Sequence, residues 1–168
     1  CYPKQFLHVI GDKSLLAQTV ERFLGLVETK DIIVVTNEKY IFHVKAELKF
    51  INAENAHIIV EPTGRNTASA IALAQIYCKD RLKCTEDEIL FISPSDHLIK
   101  PVGKFQSLIK GAETTAKKGN IVTLGIKPTK PETGYGYIEA EKNSKEITKV
   151  ISFKEKPDLK TAKEYLNA

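Results

Sequence analysis

The sequence contains no methionine, no tryptophan and only three cysteines. Cys1, Cys78 and Cys84 are an odd set without CxxC spacing or nearby histidines, so neither a disulfide framework nor a structural zinc site is expected. A reducing cytoplasm is the simplest setting for such thiols. No apolar run reaches the roughly 18–20 residues needed to span a membrane, and no charged-then-apolar leader opens the chain, so neither secretion nor membrane insertion is expected. Repeats, low-complexity tracts and linkers are missing as well. Lys and Arg number 25 against 21 Asp and Glu, a net charge of +4, yet the lysines are spread along the chain. Without a basic stripe and interleaved aromatics, nucleic acid is not an expected partner, and the mild positive excess suits small anionic substrates. With Cys first and no Met anywhere, the natural start is expected to lie upstream.

The chain has 168 residues, 42% of them hydrophobic and 27% charged, which fits a soluble globular domain with a real core. Short, nearly continuous apolar runs at 31–36 (DIIVVT), 57–60 (HIIV), 88–93 (EILFIS) and 121–126 (IVTLGI) read as strands buried on both faces. Between them, residues 14–26, 40–50, 66–82 and 104–118 repeat apolar positions every three or four, as helices do. Parallel strands need crossover connections, so this alternation predicts an α/β, doubly wound, mainly parallel sheet with helices on both faces. Beyond Pro128 two extended segments flank a Gly-rich turn, and a last helix is expected from near Leu159, after Pro157 and with Asp158 as its cap.

In open α/β sheets ligands sit beyond the carboxyl ends of the strands, so the loops after each run are the places to seek chemistry. Ser93-Pro94-Ser95-Asp96-His97 follows EILFI, and Asp96 is well placed to ligate a divalent cation between phosphates. Magnesium needs only one or two protein carboxylates there. A plain loop-capping Asp is the alternative, and His97 is expected to hold the loop by hydrogen bonding. Glu61-Pro62-Thr63-Gly64-Arg65-Asn66-Thr67 follows HIIV and opens a helix. Gly64 permits close backbone approach, and Asn66 or Thr67 can cap the helix, whose free N–H groups suit a polar ligand. Glu61, an acceptor only, complements the adjacent N1–H and N2–H donors of guanine better than adenine's donor and acceptor pair. An ordinary helix start is the competing reading.

Glu132-Thr133-Gly134-Tyr135-Gly136-Tyr137 offers a tight turn whose amides can approach a polar ligand, with Tyr135 able to pack on a sugar; hairpin turns also carry such glycines for conformation alone. Phe153-Lys154-Glu155-Lys156-Pro157 supplies a carboxylate for sugar hydroxyls and a cation for phosphate, although Glu-Lys pairs are common on surfaces. Lys4, in Pro3-Lys4-Gln5-Phe6, is a further candidate phosphate contact or a simple solvated lysine.

Taken in order, PKQF, EPTGRNTASAIALA, SPSDH, GYGYI and FKEKP resemble the nucleotidyltransferase domain of bacterial mannose-1-phosphate guanylyltransferases, over nearly the whole chain. GRNTA followed by SPSDH is the specific part, whereas GYGY and EKP recur across sugar-nucleotide pyrophosphorylases. Ser69 stands where proline is usual and Ser95 where alanine is usual. The resemblance implies a Rossmann-like fold with a mixed, mainly parallel sheet, and the reaction of GTP with mannose 1-phosphate to GDP-mannose and pyrophosphate. It implies Mg2+ on Asp96, Glu155 on the sugar, Lys156 on its phosphate, the turn of Gly134, Tyr135 and Gly136 against the sugar, and Lys4 on the nucleotide phosphates. Glu61, Gly64, Arg65, Asn66 and Thr67 would recognise the base.

Within that resemblance, residues 1–168 form one nucleotidyltransferase domain that is incomplete at both ends. A glycine-rich loop is expected upstream, and the rest of the domain, with a mannose-6-phosphate isomerase domain of the cupin type in many members, downstream. These residues alone are accordingly expected to turn over negligibly, and a homo-oligomer is compatible with the pattern. Two other readings stay open: a nucleotidyltransferase for another sugar 1-phosphate or nucleotide, and a sugar-nucleotide-binding module without turnover. A glycosyltransferase would be expected to show a DxD motif, and none occurs.

Overall fold

The structure is a computed structural model that describes residues 3–141 and 147–167. It divides into two compact units, Cys1–Lys118 and Gly119–Ala168.

Unit 1 is built on a parallel ladder. Strand β1 (Ile33–Asn37) pairs with β2 (His57–Glu61) in the register Ile33 to His57 through Asn37 to Glu61. A parallel pair cannot be closed by a tight turn, and helix α2 (Ile41–Phe50) makes the crossover. Side chains alternate across a strand, and the two faces take different helices. Val34 and Ile58, which are register partners, pack against a core of Phe6, Leu16, Ala17, Val20, Val44, Leu48, Ile51, Ala53 and Ala56, which draws on α2 and on helix α1 (Leu15–Phe23). His57, one residue out of step, meets Tyr77 of helix α3 (Asn66–Asp80): the Tyr77 hydroxyl lies 3.1 Å from His57 Nδ1. Helices on both faces of a parallel sheet are the layering the alternation predicts.

Helix α1 starts at a specific cap. The buried Ser14 hydroxyl accepts from the Ala17 N–H at 3.1 Å and donates to Glu47 Oε2 of α2 at 2.6 Å, so one side chain both starts α1 and ties it to the crossover helix. Helix α4 (Val102–Ala116) docks on α1 through Phe105, whose ring lies 5.9 Å from that of Phe23 and 5.9 Å from the Arg22 guanidinium carbon. Arg22 is buried, with Thr19 Oγ1 accepting from Nη2 at 2.8 Å, and desolvation pushes its pKa down.

The predicted strands at 88–93 and 121–126 do not pair: neither run joins a ladder among the described residues. Leu90, Phe91 and Ile92 are 39%, 41% and 44% exposed, and Ile121 and Ile126 more so. Apolarity reports a wish for burial, whereas a strand also needs a neighbour whose N–H and C=O groups complete its ladder. Phe91 is held by rings instead, 5.3 Å from Phe23 and 6.0 Å from Phe105. Helix α1 also ends earlier than its periodicity suggests, with Leu24 at its C-cap and a turn through Gly25 at φ 95.

Unit 2 holds an antiparallel pair, β3 (Tyr137–Ala140) and β4 (Val150–Lys154), with an irregularity between Glu139 and Ala140, followed by helix α5 (Leu159–Asn167). The segment joining the two strands lies partly outside the described residues. Asp158 caps α5 as expected, its Oδ1 accepting from the Thr161 N–H at 2.8 Å. No helix among the described residues is long and apolar enough to cross a membrane.

Two outcomes follow. Ser14→Ala removes a cap and leaves the Glu47 carboxylate short of a donor, and is expected to cost about 1–3 kcal/mol in chemical denaturation. Backbone donation from Thr161, followed by the Thr161 side chain, holds the Asp158 pKa below its ordinary value. The cap therefore stabilises α5 fully above the usual carboxylate range and is lost as pH falls through the lowered value. Asp158→Asn should remove that component from an acid titration of helical circular dichroism.

Candidate functional site

The β1–β2 register sets Glu61 beside Asn37 at the carboxyl end of the ladder, so the loop of Gly64, Arg65, Asn66 and Thr67 leaves from the edge where open α/β sheets bind ligands. These four residues are exposed. The Glu61 carboxylate folds back over Gly64, with Oε1 3.9 Å from where a Cβ on Gly64 would lie. Among the described residues no lysine or arginine pairs with Glu61, so the carboxylate keeps its acceptor capacity.

The expected cap of α3 does not form. Arg65 occupies the N-cap position with no side-chain hydrogen bond, and Asn66 begins the helix at φ 65. A left-handed residue at the first helical position turns its side chain away from the capping geometry of an extended N-cap, and asparagine tolerates that backbone better than most. The N-cap residue consequently gives the first turn no side-chain acceptor. Ser69 Oγ donates back to the Arg65 carbonyl at 3.1 Å, fastening the loop from below.

Lys4 lies exposed in a single 3-10 turn, Lys4–Phe6. Phe6 anchors it: only 1% exposed, its ring sits 5.8 Å from Tyr40 and 5.2 Å from the His43 ring. Asp96 follows the 88–93 stretch in a short turn. Its Oδ1 is 3.8 Å from His97 Nε2, with the two side chains 44% and 51% exposed, so His97 does not hydrogen-bond that carboxylate as a loop fastener. Ser93 Oγ instead donates to the Pro94 carbonyl at 3.2 Å. No cluster of three or more metal-ligating side chains occurs among the described residues.

In unit 2 the hairpin brings two of the motifs together. Tyr137 pairs with Lys154, which sets Gly136 against Glu155 just beyond the ladder. A Cβ on Gly136 would lie 3.0 Å from Glu155 Oε2, closer than a methyl group sits comfortably. Lys156 Nζ is 3.4 Å from Glu155 Oε1, and Lys156 holds φ 41. Gly134 and Tyr135 are exposed, Tyr135 by 66%. Tyr137 was not singled out from sequence, yet its hydroxyl accepts from the Glu132 N–H at 2.9 Å and closes the turn that presents Gly134, Tyr135 and Gly136. Only its place inside GYGYI hinted at this.

Two described residues at candidate positions, Asn66 and Lys156, therefore hold left-handed backbone without being glycine. Such residues concentrate at ligand-binding sites, where surrounding structure holds the strain. Loops at strand ends, and a paired carboxylate and ammonium at one hairpin end, are positions at which α/β proteins hold ligands.

Comparison with known proteins gives the chain its family. The nucleotidyl transferase family profile matches residues 1–168, and the chain belongs to that family. It is 41% identical over 170 residues to a mannose-1-phosphate guanylyltransferase of Escherichia coli, covering 98% of this chain and 36% of that protein. It is 43% identical over 165 residues to the xanthan biosynthesis protein XanB of Xanthomonas campestris, covering 98% of this chain and 34% of that protein. A crystal structure described as a mannose-1-phosphate geranyltransferase from Thermus thermophilus superposes with a TM-score of 0.84 at 30% identity, covering 98% of this chain and 47% of that one. The chain thus spans about a third of the length of the curated relatives it matches.

The strain at Lys156 is open to a direct check. Lys156→Gly removes a left-handed side chain and should leave unit 2 as stable or more stable by up to about 1 kcal/mol in thermal unfolding. A marked loss of stability would show that the backbone at 156 is not left-handed.

Proposed function

We propose that the protein transfers GMP from GTP to α-D-mannose 1-phosphate, giving GDP-mannose and pyrophosphate. The observation that carries this reading is the approach of Gly136 to the Glu155 carboxylate beside Lys156, a hairpin end suited to a sugar phosphate, in a chain whose relatives are named for mannose 1-phosphate. Glu155 accepts from the sugar hydroxyls, Lys156 meets the sugar's phosphate, and Gly134, Tyr135 and Gly136 let the backbone approach the ring. Glu61 accepts from the N1–H and N2–H of guanine, with Gly64, Arg65, Asn66 and Thr67 shaping the rest of the base loop. Lys4 faces the nucleotide phosphates.

The half-exposed Asp96 carboxylate, with no lysine or arginine paired to it among the described residues, fits the single protein ligand that Mg2+ takes when phosphates and water fill its other positions. When bound, that ion neutralises charge on the phosphates. The nucleophile is already a phosphate anion, which attacks the α-phosphorus in line as pyrophosphate leaves. No covalent enzyme intermediate and no general base are required. The chain's contribution is to align two mutually repelling anions and to place Lys4 and Lys156 where negative charge lies. The cytoplasm, where GTP is available, is the proposed setting, and polysaccharide assembly is the proposed use of the product.

Because the base assignment rests on Glu61, a different nucleotide is the reading to test against. Pyrophosphate release by the purified protein at its full natural length should be fastest with GTP and mannose 1-phosphate across a panel of GTP, UTP, dTTP and several sugar 1-phosphates. Preference for UTP or dTTP would sink the guanine assignment. In the same assay Gly136→Ala should raise KM for mannose 1-phosphate about tenfold or more by displacing Glu155, with the fold retained by circular dichroism.

A further inference from the structure

Two thiols that the proposed chemistry does not use lie together at the far end of α3. Helix α3 stops in a left-handed turn: the Arg81 and Leu82 N–H groups both donate to the Tyr77 carbonyl, at 2.9 and 3.2 Å, and Lys83 takes φ 57. This reversal folds the chain back so that the Cys84 N–H donates to the Cys78 carbonyl at 3.0 Å. With that bond in place, covalent geometry caps the separation of the two α-carbons at about 6.9 Å, inside the about 7 Å beyond which a disulfide cannot close without backbone movement. Both cysteines line one cavity of about 260 Å³, with Gln75, Lys79, Glu86 and Leu90 among its walls. Cys78 is buried, whereas Cys84 is partly exposed and reachable from solvent. Burial is the main cause that raises the pKa of the Cys78 thiol, and the neighbouring Cys84 thiol is the next. The absence of CxxC spacing hid this pair, because the helix end rather than a short sequence separation brings the two together.

We infer that Cys78 and Cys84 form a reversible intramolecular disulfide, with low-molecular-weight disulfides of the glutathione type as the oxidant. The accessible Cys84 thiolate attacks one sulfur of the small disulfide. That S–S bond breaks, a mixed disulfide forms on Cys84, and the first small thiol leaves with a proton. Cys78 then gives up its proton and attacks Cys84 Sγ, which closes the Cys78–Cys84 bond and expels the second small thiol. Two electrons pass from the protein pair to the small disulfide, which ends as two thiols. The closed ring fastens the end of α3, the helix that begins at Asn66, to the stretch running from Cys84 toward Asp96. This inference does not depend on the substrate assignment.

The experiment uses the protein with every cysteine other than Cys78 and Cys84, Cys1 included, replaced by serine, so that only this pair can react. After equilibration with glutathione disulfide, free thiols are blocked with iodoacetamide and the protein is cut with trypsin. Lys79, Arg81 and Lys83 lie between the two cysteines, so the disulfide is read as two peptides that stay joined until reductant is added. The expected result is that joined pair in monomeric protein, with an intact mass about 2 Da below the reduced form. In Cys78→Ser, or Cys78→Ala if serine is poorly tolerated at the buried position, Cys84 should instead keep glutathione as a stable adduct. Three results would overturn the inference: the adduct persisting on Cys84 equally with and without Cys78, both thiols still reacting with iodoacetamide, or a bond found only between two copies.

Discussion

Parallel strands cannot be joined by a tight turn, and much of unit 1 follows from that constraint. The crossover between β1 and β2 must be long enough to return to the starting edge, and α2 supplies it while burying Val44 and Leu48 in the core. Because both strands then run the same way, their carboxyl ends coincide, and Asn37 and Glu61 finish side by side. The loop carrying the base-recognition candidates is therefore a product of topology before it is a product of chemistry. Alternation along the strands does the rest, turning Val34 and Ile58 to the core and His57 to Tyr77 of α3.

Unit 2 reaches a comparable result by antiparallel means. Its strands meet in a register that sets Gly136 against Glu155, where a side chain at 136 would press on the carboxylate. The hydroxyl of Tyr137 and the left-handed turn at Lys156 hold the two sides of that contact. In both units the candidate residues stand on exposed loops whose neighbours are fixed: Phe6 beneath Lys4, Ser69 beneath Arg65, Tyr137 behind the glycine turn. Exposed candidate groups thus stand on anchored backbone, which fixes where each can meet a ligand.

Much of this architecture can be read from the sequence, since 3.6-residue periodicity marks α2, α3 and α4 to within about two residues, and a Pro-Asp start marks α5. Those signals are local. The runs at 88–93 and 121–126 carry the same apolar signature as β2 but find no ladder partner among the described residues, and pairing is a non-local property that composition cannot encode. Asn66 as a cap failed for a similar reason, because its φ is set by the loop's path and not by its side-chain preference. The family resemblance already put Gly136 and Glu155 on one sugar, but the meeting of Cys78 with Cys84 was invisible, arising where a chain reversal joins residues that motif spacing treats as unrelated.

The most direct test of the account is a crystal structure of the protein with mannose 1-phosphate bound. The account predicts the Glu155 carboxylate within hydrogen-bonding distance of the sugar hydroxyls, the ring against the backbone at Gly136, and the Lys156 ammonium on the phosphate. A sugar phosphate found away from the β3–β4 hairpin end, with Glu155 and Lys156 facing only solvent, would contradict it.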